Sequence, residues 1–435
     1  MLAVSVVFGA QPASAQAQSG QPLPEILYAD ILKAPDDLQL NFAFARQEAQ
    51  KGNLLLAASS LERVLLLEPE WNTARLFYAL VLYRLDDLSS TKRELKLLST
   101  QELPAEQKAQ VAKYIALVNK RLRRFRARGY LGVGGRWDSN RNFATTDDQV
   151  LILGLPATVL TSPDADFALR GYAGISLQYD INPVERHVVF LNARTVANEQ
   201  IDMSSQSFID SYGQLGIDYY LAPFTVSPSI EIRSIVLDEE AYLTEAGGTL
   251  AIKTPISSRV EALISASAYH QDYNSIGVAP SGRLRTGARV SVTGQLKYDI
   301  TSRNRVTARA SFDDKNADFD AFAYQNTRLS LDFRHLIGRG AFLRAQGDIS
   351  WAGFDAPDPL FTILTTREDT RFGAKFVAGA PIRTIAGYVD LETPDWTSQI
   401  TMQVSADYRE QNSNLAIYDY RNFGIETNLV WNFDL

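Results

Sequence analysis

The sequence predicts an α + β multidomain chain in which a set of N-terminal helical repeats is followed by a transmembrane antiparallel β-barrel of about fourteen strands. Three observations carry that reading. Apolar residues recur at helical spacing up to residue 126 and alternate with polar ones from residue 127 onward. The 19 Tyr and 21 Phe far outnumber the 5 Trp and 3 Met, and most follow residue 129 among Gly, Asn, Asp, Ser and Thr, as strands with one apolar and one wet face require. The alternating runs reach about ten residues or more, the length a tilted strand needs to cross a bilayer, whereas a soluble sandwich uses shorter strands with cores richer in Val, Ile and Leu.

At 435 residues the chain is too long for one ordinary core. It divides into a leader (1–15), a linker (16–36), a helical domain (37–126) and the barrel (127–435). The opening "MLAVSVVFGAQPASA" joins an apolar run to Ala13-Ser14-Ala15, a small-x-small cleavage pattern that implies export and a mature chain beginning near Gln16. No later segment has enough consecutive apolar residues for a membrane helix.

Between 37 and 126, a shift of 34 residues superimposes Ala45 on Ala79, Phe44 on Tyr78, Leu54 on Leu88 and Leu61 on Leu95. Gly52-Asn53 supplies the turn within the first helix pair and Pro69 closes its second helix. This is the period and pattern of the tetratricopeptide repeat, and "TQELPAEQKAQVAKYIALVNKRLRRF" reads as a capping helix with Pro104 near its first turn. Such repeats hold peptide segments on the concave face made by the first helix of each pair, where Phe42, Arg46, Tyr83 and Arg84 are expected. The alternative reading of the same residues is that they only pack or solvate the helices. Lys120, Arg121, Arg123, Arg124, Arg126 and Arg128 cluster at the end of the cap. They read either as cations at a helix C-terminus or as a lipid-facing site for anionic headgroups.

In the barrel, Leu169, Gly171, Ala173, Ile175, Leu177, Tyr179 and Ile181 share one parity, with Arg170, Ser176, Gln178 and Asp180 on the other. Val306, Ala308, Ala310 and Phe312 alternate with Arg305, Thr307, Arg309 and Ser311, and residues 400–408 repeat the scheme. The apolar parity is expected to end in an interfacial aromatic at Tyr179, Tyr219, Tyr269, Tyr298 and Tyr408. The runs begin near residues 128, 168, 186, 210, 223, 240, 257, 283, 304, 322, 340, 367, 397 and 416. The last places Leu429, Trp431, Phe433 and Leu435 on one parity, an apolar-aromatic C-terminal strand of the kind that barrel assembly machinery recognises. With the helical domain in the periplasm, odd-to-even connections are extracellular, so 140–166 and 352–369 are outer loops, while "INPVE", "LAPF" and "TSRN" are tight inner turns.

Several function classes are disfavoured. The chain has no Cys, which removes disulfides, thiolate metal sites and a cysteine nucleophile, and its three His (His187, His270, His335) stand apart. The net charge of -7 argues against a nucleic-acid partner. Paired carboxylates such as Asp313-Asp314 and Glu239-Glu240 sit at turns, and no convergent set suggests an enzyme, a metal or a cofactor.

The succession of a short helical repeat domain, a basic cap, "GYLGVGGRWDSNRNFA" and a terminal "NSNLAIYDYRNFGIETNLVWNF" resembles the surface lipoprotein assembly modulator (Slam) family of Gram-negative bacteria. The resemblance spans nearly all of the mature chain. It implies a periplasmic tetratricopeptide domain and a barrel that moves a client across the outer membrane, the client being a surface lipoprotein or a secreted haem- or metal-acquisition protein. The motif residues are Asp138, Ser139, Asn140 and Asn142, an Asx turn after the first strand, with Tyr418, Asp419 and Arg421 at the start of the last, where an Arg-Asp pair closing the seam is expected. The motif reads either as a shaper of loop and lumen wall or as a client contact. The partners implied are the client, outer-membrane lipids and the barrel assembly machinery. A porin or polysaccharide-export barrel with a tetratricopeptide scaffold is the rival reading.

Overall fold

The computed structural model describes residues 25–182 and 187–434. The expected leader, the first part of the linker, residues 183–185 of the "INPVE" turn and Leu435 lie outside the described residues. The chain separates into two compact units between Arg123 and Arg124.

The first unit holds α1 (Tyr28–Lys33), α2 (Leu38–Lys51), α3 (Leu54–Leu67), α4 (Asn72–Arg84), α5 (Leu88–Ser99) and α6 (Ala105–Arg121). The pairs α2–α3 and α4–α5 start 34 residues apart, at Leu38 and Asn72 and again at Leu54 and Leu88. The turn in the first pair runs through Gly52 at φ 90° and in the second through Asp86 at φ 65°, the same left-handed corner 34 residues later. Small residues are buried where the helices cross, Ala45, Ala57 and Ala79 among them, and Leu61, Val81, Leu95 and Leu98 fill the space between. The hairpins are cross-tied by Tyr78, whose hydroxyl donates to Glu62 at 2.5 Å, and α4 is tied to α5 by Arg75 with Glu94 at 2.6 Å. The stretch expected as linker is partly structured: Ile31 of α1 is fully buried, and the Gln47 side chain bonds both the N–H and the C=O of Ile26.

The second unit comprises β1 (Phe125–Asp138), a small hairpin of β2 (Gln149–Ile152) and β3 (Leu155–Thr158), β4 (Asp166–Asn182), β5 (His187–Gln200), β6 (Phe208–Leu221), β7 (Phe224–Leu237), β8 (Glu240–Pro255), β9 (Val260–Tyr273), β10 (Gly287–Asp299), β11 (Asn304–Lys315), β12 (Tyr324–Gly338), β13 (Ala341–Phe354), β14 (Glu368–Pro381), the short helix α7 (Ile382–Gly387), β15 (Ile400–Ser413) and β16 (Tyr420–Asp434). Except for the β2–β3 hairpin, the strands form one closed antiparallel barrel of fourteen, each next to its sequence neighbour, with β16 returning to β1. Barrel strands run from 12 to 17 residues, enough for a tilted crossing of a bilayer.

Strand parity sorts the side chains. Val133 is 65% exposed, Ile230 66% and Leu331 54%, and with them Leu169, Leu296 and Leu429 point outward as an apolar belt that only hydrocarbon would solvate favourably. Tyr179, Tyr219 and Tyr298 stand on this outer face within three residues of the strand ends, as an interfacial girdle requires. Tyr269 does not: the outward parity of β9 is that of Ile264, so Tyr269 turns into the lumen, donates to Glu231 at 2.6 Å and lies under the Arg289 guanidinium. Among the described residues no helix is long and apolar enough to cross a membrane.

Short turns at 222–223, 256–259, 300–303 and 339–340 lie at the end where β1 begins. The far end carries longer loops, notably 139–165 and 355–367, which meet where Leu153 donates its N–H to the Phe361 carbonyl at 2.7 Å. Two connections break the expected alternation. The β7–β8 turn at the far end is only Asp238 and Glu239, both at positive φ as a tight hairpin needs, and the β14–β15 link at the near end is long and includes α7.

Candidate functional site

The lumen is the site, and its wall is built from the polar parity of each strand. Around the closure of the barrel, register sets Arg136 of β1 opposite Glu426 of β16 and Asp138 opposite Gly424. The Arg136 guanidinium donates to Asp138 at 2.6 and 2.8 Å and to Asp407 of β15 at 2.7 Å. Glu426 accepts from Arg170 of β4 at 2.9 Å and from Lys375 of β14 at 3.3 Å, and also from the Tyr172 hydroxyl. Five strands are thus joined across the seam by charges that are almost wholly buried: the side chains of Asp138 and Asp407 are 3% exposed and that of Glu426 is 4%. Charges are tolerated in the wall because each has a partner, and apart from the Arg136–Asp138 pair within β1 the partners come from different strands.

The motif expected after the first strand continues this closure. Asp138 accepts from Asn422 at 2.7 Å, the Asn140 N–H donates to the Asn422 side chain, and the Asn140 amide donates to the Arg421 and Ala144 carbonyls. Ser139 exchanges two bonds with the Phe423 backbone, its own N–H to the carbonyl and its hydroxyl accepting the Phe423 N–H. Asn142 reaches Ser162 and Asp164 and shapes the loop. The first turn and the last strand are therefore stitched side chain to backbone.

The Arg-Asp pair expected from residues 418–421 is corrected by the geometry. Arg421 pairs with Glu410 of β15 at 3.0 Å on the outer parity, and Asp419 caps the β15–β16 connection by accepting the Ser413 N–H. The Arg-Asp pairs at the seam belong to Arg136. Tyr418 packs under the Arg367 guanidinium, 3.5 Å from its ring centroid, and bonds Asp358; burial pushes its phenol up to about 12 and raises the Asp419 carboxyl.

From β10 round to β16 the wall lines a lumenal chamber of about 980 Å³ with seven Lys and Arg against two carboxylates, Asp332 and Asp348. Antiparallel register places Arg305 of β11 directly opposite Arg334 of β12, and Arg334 directly opposite Arg344 of β13. Sequence reasoning found Arg305 on the polar parity but not this row, because parity names the face of a residue while only register names its neighbour.

In the helical unit, Phe42 packs on Trp71 and Phe77, Tyr83 packs edge-on against Tyr114, and Arg84 donates to the Ala49 carbonyl at 3.1 Å. These three are engaged in joining helices, while Arg46 is exposed on α2. The basic cluster disperses. Arg121 pairs with Asp86 at 2.5 Å and covers the Tyr83 ring, and Arg123 and Arg124 are exposed ahead of β1. A lipid-facing position for Arg126 and Arg128 is corrected by strand parity: they share the inward face of β1 with Arg136 and Asp138, and Arg128 lies 3.6 Å from Asp434.

Fold and lumen define the class: a membrane-spanning β-barrel with a wet, charged interior. The family model described as "Protein of unknown function (DUF2860)" matches residues 237–432, that is β8 through most of β16. Among solved structures, the chain is similar to the outer membrane protein OmpT of Vibrio cholerae in a form lacking loop L8, at 7% identity and TM-score 0.36 over 71% of this chain and 100% of that one. It is also similar to an outer membrane channel from Pseudomonas putida F1, at 11% identity and TM-score 0.36 over 70% and 95% of the two chains. An anion-selective porin from Comamonas acidovorans matches at 7% identity and TM-score 0.36 over 71% and 99%. No curated protein matches the sequence.

Proposed function

We propose that this chain is an outer-membrane translocon of the surface lipoprotein assembly modulator type. The helical unit, in the periplasm, receives a client lipoprotein or a secreted haem- or metal-acquisition protein, and the barrel passes it to the cell surface after the barrel assembly machinery has inserted it. The observation that carries this reading is the union in one chain of stacked helix hairpins of tetratricopeptide spacing, an architecture that holds extended peptide, with a closed barrel whose interior is wet. No nucleotide site is invoked; client folding outside supplies the drive.

A second reading, a porin or polysaccharide-export barrel, is favoured by one observation. The seam is locked by Arg136, Asp138, Asp407 and Asn422, so traffic runs along the lumen more readily than sideways between β1 and β16. Deleting the gene and comparing protease-shaved surface and secreted proteomes with the parent decides between them. Loss of specific proteins from the surface, with periplasmic accumulation, supports the translocon. An unchanged protein profile with altered small-solute uptake or exopolysaccharide overturns it in favour of the porin.

A further inference from the structure

Three arginines in one cross-strand row are costly. Like charges directly opposite on adjacent strands destabilise a sheet, and Arg305, Arg334 and Arg344 are opposite one another in turn on the lumenal face of β11, β12 and β13. The outer two are neutralised: Arg305 by Asp299 of β10 at 2.5 Å and Arg344 by Asp332 at 2.5 Å. Arg334, between them, makes no ion pair among the described residues; its guanidinium lies 5.2 Å from the centre of the Phe342 ring, which fixes its position without cancelling its charge. Arg309, on the same face of β11 as Arg305, makes no ion pair among the described residues and donates to the neutral Gln295 amide oxygen at 2.7 Å. Both uncompensated guanidiniums open into the same chamber of about 980 Å³. Composition does not explain this excess of cations, because the whole chain carries a net charge of -7. The seam shows the alternative available to this wall, where every buried charge is answered by its opposite.

We propose that the β10–β13 wall is an anion-selecting site, with Arg334 and Arg309 as the groups that attract an oxyanion such as a carboxylate, phosphate or sulfate into the lumen and Arg305 and Arg344 as its flanks. The planar guanidinium fork suits such oxyanions, and a confined basic wall raises the local anion concentration by about tenfold or more. The lumen accordingly conducts anions in preference to cations whatever the identity of a larger client, so this inference stands apart from the translocon reading.

The full chain reconstituted in planar bilayers tests it through the reversal potential in a KCl gradient. The unaltered protein is expected to favour chloride over potassium by about tenfold, with inorganic phosphate lowering the chloride current. Arg334→Gln reduces the preference, Arg334→Lys largely retains it, and the Arg309→Glu, Arg334→Glu double variant reverses it, while heat-modifiable gel mobility shows that each barrel is folded. Cation preference or no preference in the unaltered protein, a preference untouched by the folded double variant, or a barrel that conducts no ions would each overturn the site.

Discussion

At the scale of the residue, one helix cap and one buried cation lend themselves to measurement. Asp87 caps α5, its carboxylate accepting the Ser90 N–H at 3.0 Å and the Ser89 hydroxyl at 2.9 Å. The Ser90 N–H holds its pKa below the ordinary carboxylate value of 3.8. A folded-state pKa that is lowered means that the stabilisation is complete above the unfolded value and is lost as pH falls below about 4. Asp87→Ala is expected to cost about 1 kcal/mol in the helical transition followed by circular dichroism, whereas Asp87→Asn keeps the cap and removes this part of the acid sensitivity. Equal acid sensitivity in Asp87→Asn and the parent would refute the assignment. In the barrel wall, Arg136→Met strands Asp138 and Asp407 without their guanidinium. The loss is expected to be about 3–5 kcal/mol, read as a lower urea midpoint of barrel unfolding, because an uncompensated buried carboxylate costs more than the pair ever contributed. An unchanged midpoint would mean that water reaches these groups and that the seam is looser than its geometry.

At the scale of the element, the closure of the barrel rests on a close approach. A Cβ on Gly134 of β1 would stand 2.0 Å from the Asn428 side chain and 2.4 Å from the Thr427 carbonyl, both of β16, so the seam tolerates glycine alone there. Gly294 of β10 has nothing within 4 Å of its Cβ position. Gly134→Ala is therefore expected to lower the fraction of protein that reaches the heat-modifiable barrel form, while Gly294→Ala leaves it unchanged; equal yields would place the assembly-limiting contact elsewhere. The elements themselves were legible. A period of two over ten or more residues cannot be satisfied by a helix, and the fourteen expected starts fall within about four residues of the observed strands. What could not be read was lateral pairing. Whether Arg334 faces Arg305 depends on how the connection at 316–323 aligns β11 with β12, and whether it faces Arg344 on how the irregularity at Leu336/Gly338 aligns β12 with β13, and those are properties of backbone geometry rather than of residue type. Tyr269 failed for a related reason: an aromatic at a strand end is taken for a girdle residue until its parity is fixed by its neighbours. In the helical unit the turn at Gly52 was legible, while its counterpart at Asp86 was hidden by a residue that seldom adopts a left-handed backbone.

At the scale of the whole molecule, the two units differ in what holds them together, and that difference makes them separable by experiment. The helical unit has its own apolar interior, from Ala45 and Leu61 through Val81 to Leu95 and Val118. The barrel takes all fourteen of its strand neighbours from residues 125–434, with β1 paired to β4 from Phe125 and to β16 from Arg128. Among the described residues no barrel hydrogen-bond ladder draws on α1–α6. Removing residues 25–123 while keeping residues 1–24 is therefore expected to leave a barrel that still inserts, still shows heat-modifiable mobility and still carries the anion preference of its β10–β13 wall. On the proposed translocon role, in which the helix hairpins receive the client, the same cells are expected to lose its surface display and to accumulate it in the periplasm. These readouts separate the possible failures. If the barrel assembles and display is unchanged, the helical unit is no receiver and the translocon reading loses its first step. If display and assembly fail together, the helical unit is needed to build the barrel, which its independence from every strand pairing argues against.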